Sequence, residues 1–236
     1  MIGVNRGRAA TAAAVTAALG AALLVVLIRG SVVDGTGSAQ PAPVVPARAT
    51  PTTAAPAPRA VGVAGPTQFT LVGKAFRIDA AMCAMAGIFP LDPPGDQFHT
   101  VCWVKDVFGH APGSTSGGTT YVLGHAWAEA PLVLNPMATF AMDNVATTPT
   151  RESGVNIWAV DALNGYRIIL HTPKGTLTYE VRRAFTIAKL DLPHLHSVWA
   201  NTIPNRVVLI TCAVHNGVDI ERNVIAYAYL IGAKPA

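Results

Sequence analysis

The stretch from about Gln68 to Ala236 predicts an all-β domain, a sandwich or a closed barrel, held behind an apolar N-terminal segment and a Pro/Ala-rich spacer. Two observations predict it. Short runs of β-branched and aliphatic residues recur between Gly, Pro and Asn punctuation, and helical periodicity is scarce. The length adds a bound, since the stretch is long enough to enclose its own core and short enough to be one domain.

Only 13% of the chain is charged while 51% is hydrophobic. Much of that apolarity lies in Ala9 to Ile28, an uncharged run of about 20 residues, enough to cross a bilayer as a helix. Arg6 and Arg8 precede it, which places the N-terminus in the cytoplasm and the rest outside. The alternative is a cleaved signal peptide, cut near Gly37-Ser38-Ala39. From Ser31 to about Gly65 the chain shifts to Ala, Pro, Thr and Val, a composition that buries too little surface to fold and reads as an extended spacer. The expected organisation is a cytoplasmic end at 1–8, a membrane anchor at 9–28, a linker at 29–65 and a domain at 66–236.

Within the domain, Phe69 to Ile78 alternates imperfectly, Thr119 to Leu123 forms a short strand and Val155 to Val160 another. Tyr166 to Leu170 turns through Pro173-Lys174-Gly175 into Thr176 to Val181, a hairpin. Short helical pieces are expected at Phe140 to Val145 and Leu192 to Ala200. Val207 to Ile210 reads as a strand interior that surfaces at Thr211-Cys212; Asn216-Gly217 then turns the chain into a second apolar run, Val224 to Ile231.

Cys212 and Arg222 thereby stand on facing strands. A thiol is a weak nucleophile at neutral pH unless a cation lowers its pKa or a base takes its proton. The candidate base is His125, at the end of Tyr121-Val122-Leu123-Gly124, where Gly124 allows a sharp turn before the imidazole. Cys212, His125 and Arg222 are the candidate catalytic residues.

These residues resemble a family, the sortases, cysteine transpeptidases of Gram-positive bacteria. The resemblance rests on Leu123-Gly124-His125, on Leu209-Ile210-Thr211-Cys212 and on Arg222, in the family's order, and covers roughly residues 67 to 231. Arg222 leading into Asn223-Val224-Ile225-Ala226-Tyr227 is most similar to the actinobacterial class F, with class E next; Leu123 stands where many relatives carry a smaller residue. The resemblance implies a closed eight-stranded β-barrel with a few short helices. It further implies cleavage of a Leu-Pro-x-Thr-Gly-like sorting signal after Thr, through a thioester on Cys212, and transfer of the acyl group to an amine of a peptidoglycan precursor or pilin. Its partners would be secreted proteins carrying such a signal, with no cofactor, and membrane lipid would hold the N-terminal helix of a single-pass protein whose catalytic domain is extracellular. The peptide would lie against the connection at about Arg183 to Asn205, where Ala184, Ile187, Leu190, Leu192 and Val198 are either pocket residues or closures of the core; Thr211 and His215 are further candidate contacts.

Three cysteines leave one unpaired. Cys83 and Cys102 either bridge, closing a loop that contains Leu91-Asp92-Pro93-Pro94-Gly95, or fill the core as thiols. His99-Thr100-Val101-Cys102 has metal-like spacing but no second pair nearby, so no metal is assigned. His215 is a rival base three residues past Cys212, whereas His99, His110, His171, His194 and His196 read as loop or packing residues. Arg206 is a rival cation at the far end of the strand from Cys212. No carboxylate stands out as a partner for His125.

The net charge of +4 is scattered, which argues against nucleic acid as a partner and suits an anionic wall. The alternatives are a non-catalytic wall-associated binding module, or a degenerate sortase; the Ser-His-Gly-Cys signature of L,D-transpeptidases is absent. The chain ends in Gly232-Ala233-Lys234-Pro235-Ala236, which is no sorting signal.

Overall fold

The computed structural model describes residues 60–236 apart from Val107. The expected cytoplasmic end, the anchor at 9–28 and the linker up to residue 59 lie outside the described residues. Among the described residues no helix is long and apolar enough to cross a membrane.

Ten strands form one sheet: β1 (Gln68–Val72), β2 (Arg77–Ala86), β3 (Thr100–Lys105), β4 (Thr119–Leu123), β5 (Thr150–Glu152), β6 (Val155–Ala159), β7 (Arg167–Thr172), β8 (Gly175–Ala188), β9 (Arg206–His215) and β10 (Val218–Pro235). Eight of them run in the order β10-β9-β4-β3-β2-β1-β7-β8, and pairing of β10 with β8 closes the ring. The hairpin β5–β6 is appended to β8. The expected closed eight-stranded barrel is therefore present, and closure removes the sheet edges that would otherwise need protection. All pairings are antiparallel except β2 with β3 and β4 with β9.

Phe69, Leu71, Ile168, Leu170, Leu177 and Leu209 belong to the buried barrel interior. Helix α1 (Asn135–Asp143) packs Met137 and Ala141 into the same cluster. A second cluster lies on the outer wall, where Tyr121, Leu123, Val208 and Ile210 meet Leu195 and Val198 of the connection between β8 and β9. That connection contains a 3-10 turn (Leu192–His194) and α2 (His196–Trp199). Being covered on both faces, β9 needs apolar side chains at consecutive positions rather than alternate ones, which explains Val207-Val208-Leu209-Ile210. Full burial of each such side chain contributes about 1.5–3 kcal/mol.

Arg206 fixes the connection. It is 2% exposed, and its guanidinium donates to Thr119 Oγ1 at 3.1 Å and to the carbonyls of Ser197 at 2.9 Å and Val198 at 3.3 Å. Oxygens that would be stranded beneath the covering segment are thus satisfied by a buried cation.

Several expectations need correction. Phe69 to Ile78 is two strands, not one, because the chain reverses at Gly73, whose N–H donates to the Phe76 carbonyl. Strand β8 continues past Val181 to Ala188; the Arg182-Arg183 pair does not end it, because Arg182 is skipped in the register with β10, a bulge that sends its side chain to solvent. The connection therefore begins at Lys189, not at Arg183. Helix α1 starts at Asn135, ahead of the expected Phe140, with Pro136 in its first turn where a missing N–H costs nothing. Strand β9 does not surface at Thr211, which is 2% exposed, and runs on to His215 before the positive-φ pair Asn216-Gly217 makes the hairpin turn. At the other end, Val61 is fully buried, so residues assigned to the linker pack on the barrel.

Candidate active site

Two parallel neighbours carry the thiol and the imidazole. Leu123 of β4 pairs with Ile210 of β9, and both pack in the outer-wall cluster. Because side chains alternate along a strand, the residues two positions on, His125 and Cys212, leave the sheet on that same outer face. They line one cavity of about 400 Å3 together with Gln97, Trp127, Lys189 and Asp219.

Gly124 is required for packing and not, as expected, for an unusual turn. A Cβ there would lie 2.7 Å from Leu134 Cδ1 and 2.9 Å from Val101 Cγ1, and Gly124 is not among the residues with positive φ. The strand can only press His125 against the wall if this position has no side chain.

Cys212 is a free thiol and half-buried. Burial pushes its pKa above the ordinary thiol value; Lys189 opposes this, and Asp219, Glu221 and Asp92 add to the rise. The resting group is accordingly a neutral thiol at neutral pH, which needs a base or a cation to become a nucleophile.

His125 has two partners that no sequence pattern marks. Its Nε2 donates to the Pro93 carbonyl at 3.0 Å and lies 3.3 Å from Asp92 Oδ1. Both acceptors sit on the loop between β2 and β3, which is anchored at its base by a disulfide. Cys83 and Cys102 face each other directly across the parallel pair, with Cα atoms 4.4 Å apart, and form that bond; the Pro94 carbonyl lies 3.7 Å from Cys102 Sγ. The Leu91-Asp92-Pro93-Pro94-Gly95 run was the available signal, since a loop tied to β3 is carried towards β4 and its histidine.

Arg222 is placed differently from Cys212. Asn223 pairs directly with Cys212 and shares its face, while Arg222 pairs with Ala188 and stacks on the Trp158 ring, 3.7 Å from its centroid. Trp158 pairs with Thr186, which pairs with Val224 of the barrel interior, so the guanidinium rests on the opposite face of the wall from the thiol. The cation that lines the cavity is Lys189.

Other candidates fall outside the cavity. Ala184 and Ile187 are 2% and 0% exposed within β8, so they close the core and do not line a pocket on the connection. Leu190 is 88% exposed, whereas Leu192 and Val198 are buried in the outer-wall cluster. Thr211 points into the barrel and cannot touch a peptide on the outer wall. His215 Nδ1 lies 3.3 Å from Asp143 Oδ1 on α1, away from the thiol. His99 pairs with Asp96 at 2.8 Å, and Cys102 is in the disulfide, so the metal-like spacing holds no metal site.

Next to the cavity lined by Cys212 and His125, an apolar trough runs along the outer wall. Lys189 lines both, and the trough continues through Leu91, Leu123, Ile210 and Leu192 to Phe89 and Trp199. Phe89 stacks on Phe108, with centroids 5.6 Å apart, and meets Trp199 edge-on at 5.3 Å. Phe89 and Leu91 had no periodic signal in the sequence, because their position is set by the loop and not by a strand.

No family model matches the chain, and no curated protein does. Solved structures that it is similar to include sortase A from Listeria monocytogenes, 14% identical over 73% of this chain and 91% of that one, with a TM-score of 0.45. A lid mutant of sortase A from Corynebacterium diphtheriae is 12% identical over 71% of each chain, with a TM-score of 0.46. Sortase C-1 from Actinomyces oris is 12% identical over 70% of this chain and 73% of that one, with a TM-score of 0.44.

Proposed function

We propose that this chain is a sortase-type cysteine transpeptidase that acts on a peptide lying in the apolar trough. The observation that carries the reading is that the free thiol of Cys212 and the ring of His125 line one cavity, each two residues past the last β4–β9 pair, Leu123 with Ile210.

The steps follow from those two groups. Cys212 passes its proton to His125 and, as thiolate, attacks a backbone carbonyl; the C–S bond forms and a tetrahedral oxyanion results. The C–N bond then breaks as imidazolium His125 gives its proton to the leaving amine, and a thioester remains. An incoming amine attacks the thioester, His125 takes the amine's proton, and the thiolate leaves. Asp92 and the Pro93 carbonyl hold the ring in place from the loop side.

Arg222 is the proposed partner of the oxyanion or of the peptide backbone. To serve, it would have to leave the Trp158 ring and come round from the opposite face of the wall, so the role requires the β10 backbone at the bulge to turn. The acceptor is proposed to be an amine of a peptidoglycan precursor or a pilin, the substrates secreted proteins carrying a Leu-Pro-x-Thr-Gly-like signal, and the site of action the outer face of the membrane behind an anchor at residues 9–28.

Incubation with a panel of labelled sorting peptides, with and without amine acceptors, tests the reading. Cleavage that depends on Cys212 and yields a ligated product with the amine supports it; ligand binding without turnover of any peptide, unchanged after alkylation of Cys212, would assign the domain to binding.

A further inference from the structure

We propose that Lys189 is a positioning residue that eases ionisation of the Cys212 thiol, by placing its ammonium group in the wall of the cavity that the thiol also lines. The inference rests on Cys212 being the reacting thiol and otherwise stands on the wall's own geometry.

Lys189 is the first residue after β8, and its N–H donates to the Glu221 carbonyl at 3.2 Å, which ties its backbone to the bulge where β10 passes Cys212. Its side chain is one-third exposed and lines the cavity with Cys212 and His125. The only carboxylate paired with it among the described residues is Glu221, at 3.6 Å and 87% exposed, a loose pair that water screens. The ammonium is therefore available to a nearby anion. Arg222, the other basic residue on this stretch, is turned away onto Trp158.

Lys189 acts against the rest of the charge around the thiol. The charged and titratable groups facing Cys212 are Asp92 from the β2–β3 loop, His125 after β4, Lys189 after β8, and Asp219 and Glu221 from β10. Three of these are carboxylates, and burial adds to their effect, so without Lys189 every fixed charge near the sulfur opposes its ionisation. Lys189 is then a positioning residue for the thiolate, distinct from whatever stabilises the later oxyanion.

The test is the pH dependence of alkylation, which reports Cys212 alone because Cys83 and Cys102 are bridged. Iodoacetamide and the anionic iodoacetate are used in parallel on the full chain. In Lys189→Met the midpoint of the alkylation profile should rise by about 0.5–1 pH unit, and the iodoacetate-to-iodoacetamide rate ratio should fall about threefold. Lys189→Arg should restore both. Glu221→Gln, which removes an opposing charge without touching the fold, should move the midpoint the other way. An unchanged midpoint in Lys189→Met, or a shift that appears in Arg222→Met instead, overturns the proposal. Because alkylation needs no peptide, its outcome is independent of whether a sorting peptide is ever cleaved.

Discussion

Asp92 Oδ1 lies 3.3 Å from His125 Nε2, and the neighbouring Pro93 carbonyl accepts from the same nitrogen at 3.0 Å. The imidazole is thus held from the loop side by two acceptors on consecutive residues. An acceptor pair of this kind fixes the orientation of the ring that, in the proposed reaction, passes a proton to the leaving amine.

Replacing Asp92 with Asn keeps the shape and removes the charge. Peptide cleavage by Asp92→Asn should fall about 3–10-fold in kcat/KM, with an unchanged melting temperature, since the side chain is largely exposed. An unaltered rate would mean that the Pro93 carbonyl alone positions the ring.

The Cys83–Cys102 bridge joins positions 19 apart in the sequence at the base of that loop. Its removal in the double variant Cys83→Ala/Cys102→Ala should lower stability by about 2–4 kcal/mol in denaturant unfolding, and cleavage should be weakened without being abolished. Complete loss of cleavage in a folded double variant would give the bridge a chemical part in the reaction.

Arg206 is the clamp under the β8–β9 connection, and nothing apolar can answer the carbonyls of Ser197 and Val198. Arg206→Met should destabilise the domain by about 3–5 kcal/mol in denaturant unfolding and loosen the trough along with it. A loss below about 1 kcal/mol would show that water replaces the guanidinium readily.

Glu152 ties the same connection from the other side, accepting from Arg183 and from the Ser197 hydroxyl. Burial pushes its carboxyl up, yet the hydrogen bonds from Arg183 and Ser197 outweigh burial and leave it below its ordinary value of 4.5. A depressed carboxylate contributes stability that is fully present above its unfolded-state value and is lost as pH falls through the folded one. Wild type should therefore be more stable than Glu152→Gln at pH 7, and the gap in melting temperature should close as pH falls from about 4.5 downwards. A gap that is independent of pH would show that the charge plays no part.

How much of this could be read from the chain alone depends on the kind of signal. Cys212 and His125 were legible because thiol and imidazole chemistry restricts where such residues stand, and each follows an apolar run that forms a strand. Closure of the barrel was not legible from periodicity, because it depends on β10 pairing with β8 along its whole length, a long-range choice that alternation does not encode. The end of β8 was misplaced because Arg182-Arg183 looks like a polar break, whereas a bulge lets one arginine face water while the other reaches Glu152. Lys189, Asp92 and Trp158 escaped for a common reason: each acts from the end or edge of an element, where three-dimensional proximity and not sequence pattern decides the neighbours. Ala184, Ile187 and Thr211 erred in the other direction, being apolar or polar residues near the site in sequence but turned into the core.

The most direct measurement is the mass of the protein after reaction with a sorting peptide in the absence of an amine acceptor. An acyl adduct on Cys212 that hydroxylamine releases, absent in Cys212→Ala and diminished in deacylation-competent wild type once an amine is added, is the expected result. Peptide cleavage that persists in Cys212→Ala, or proceeds with no adduct at that sulfur, would contradict the account.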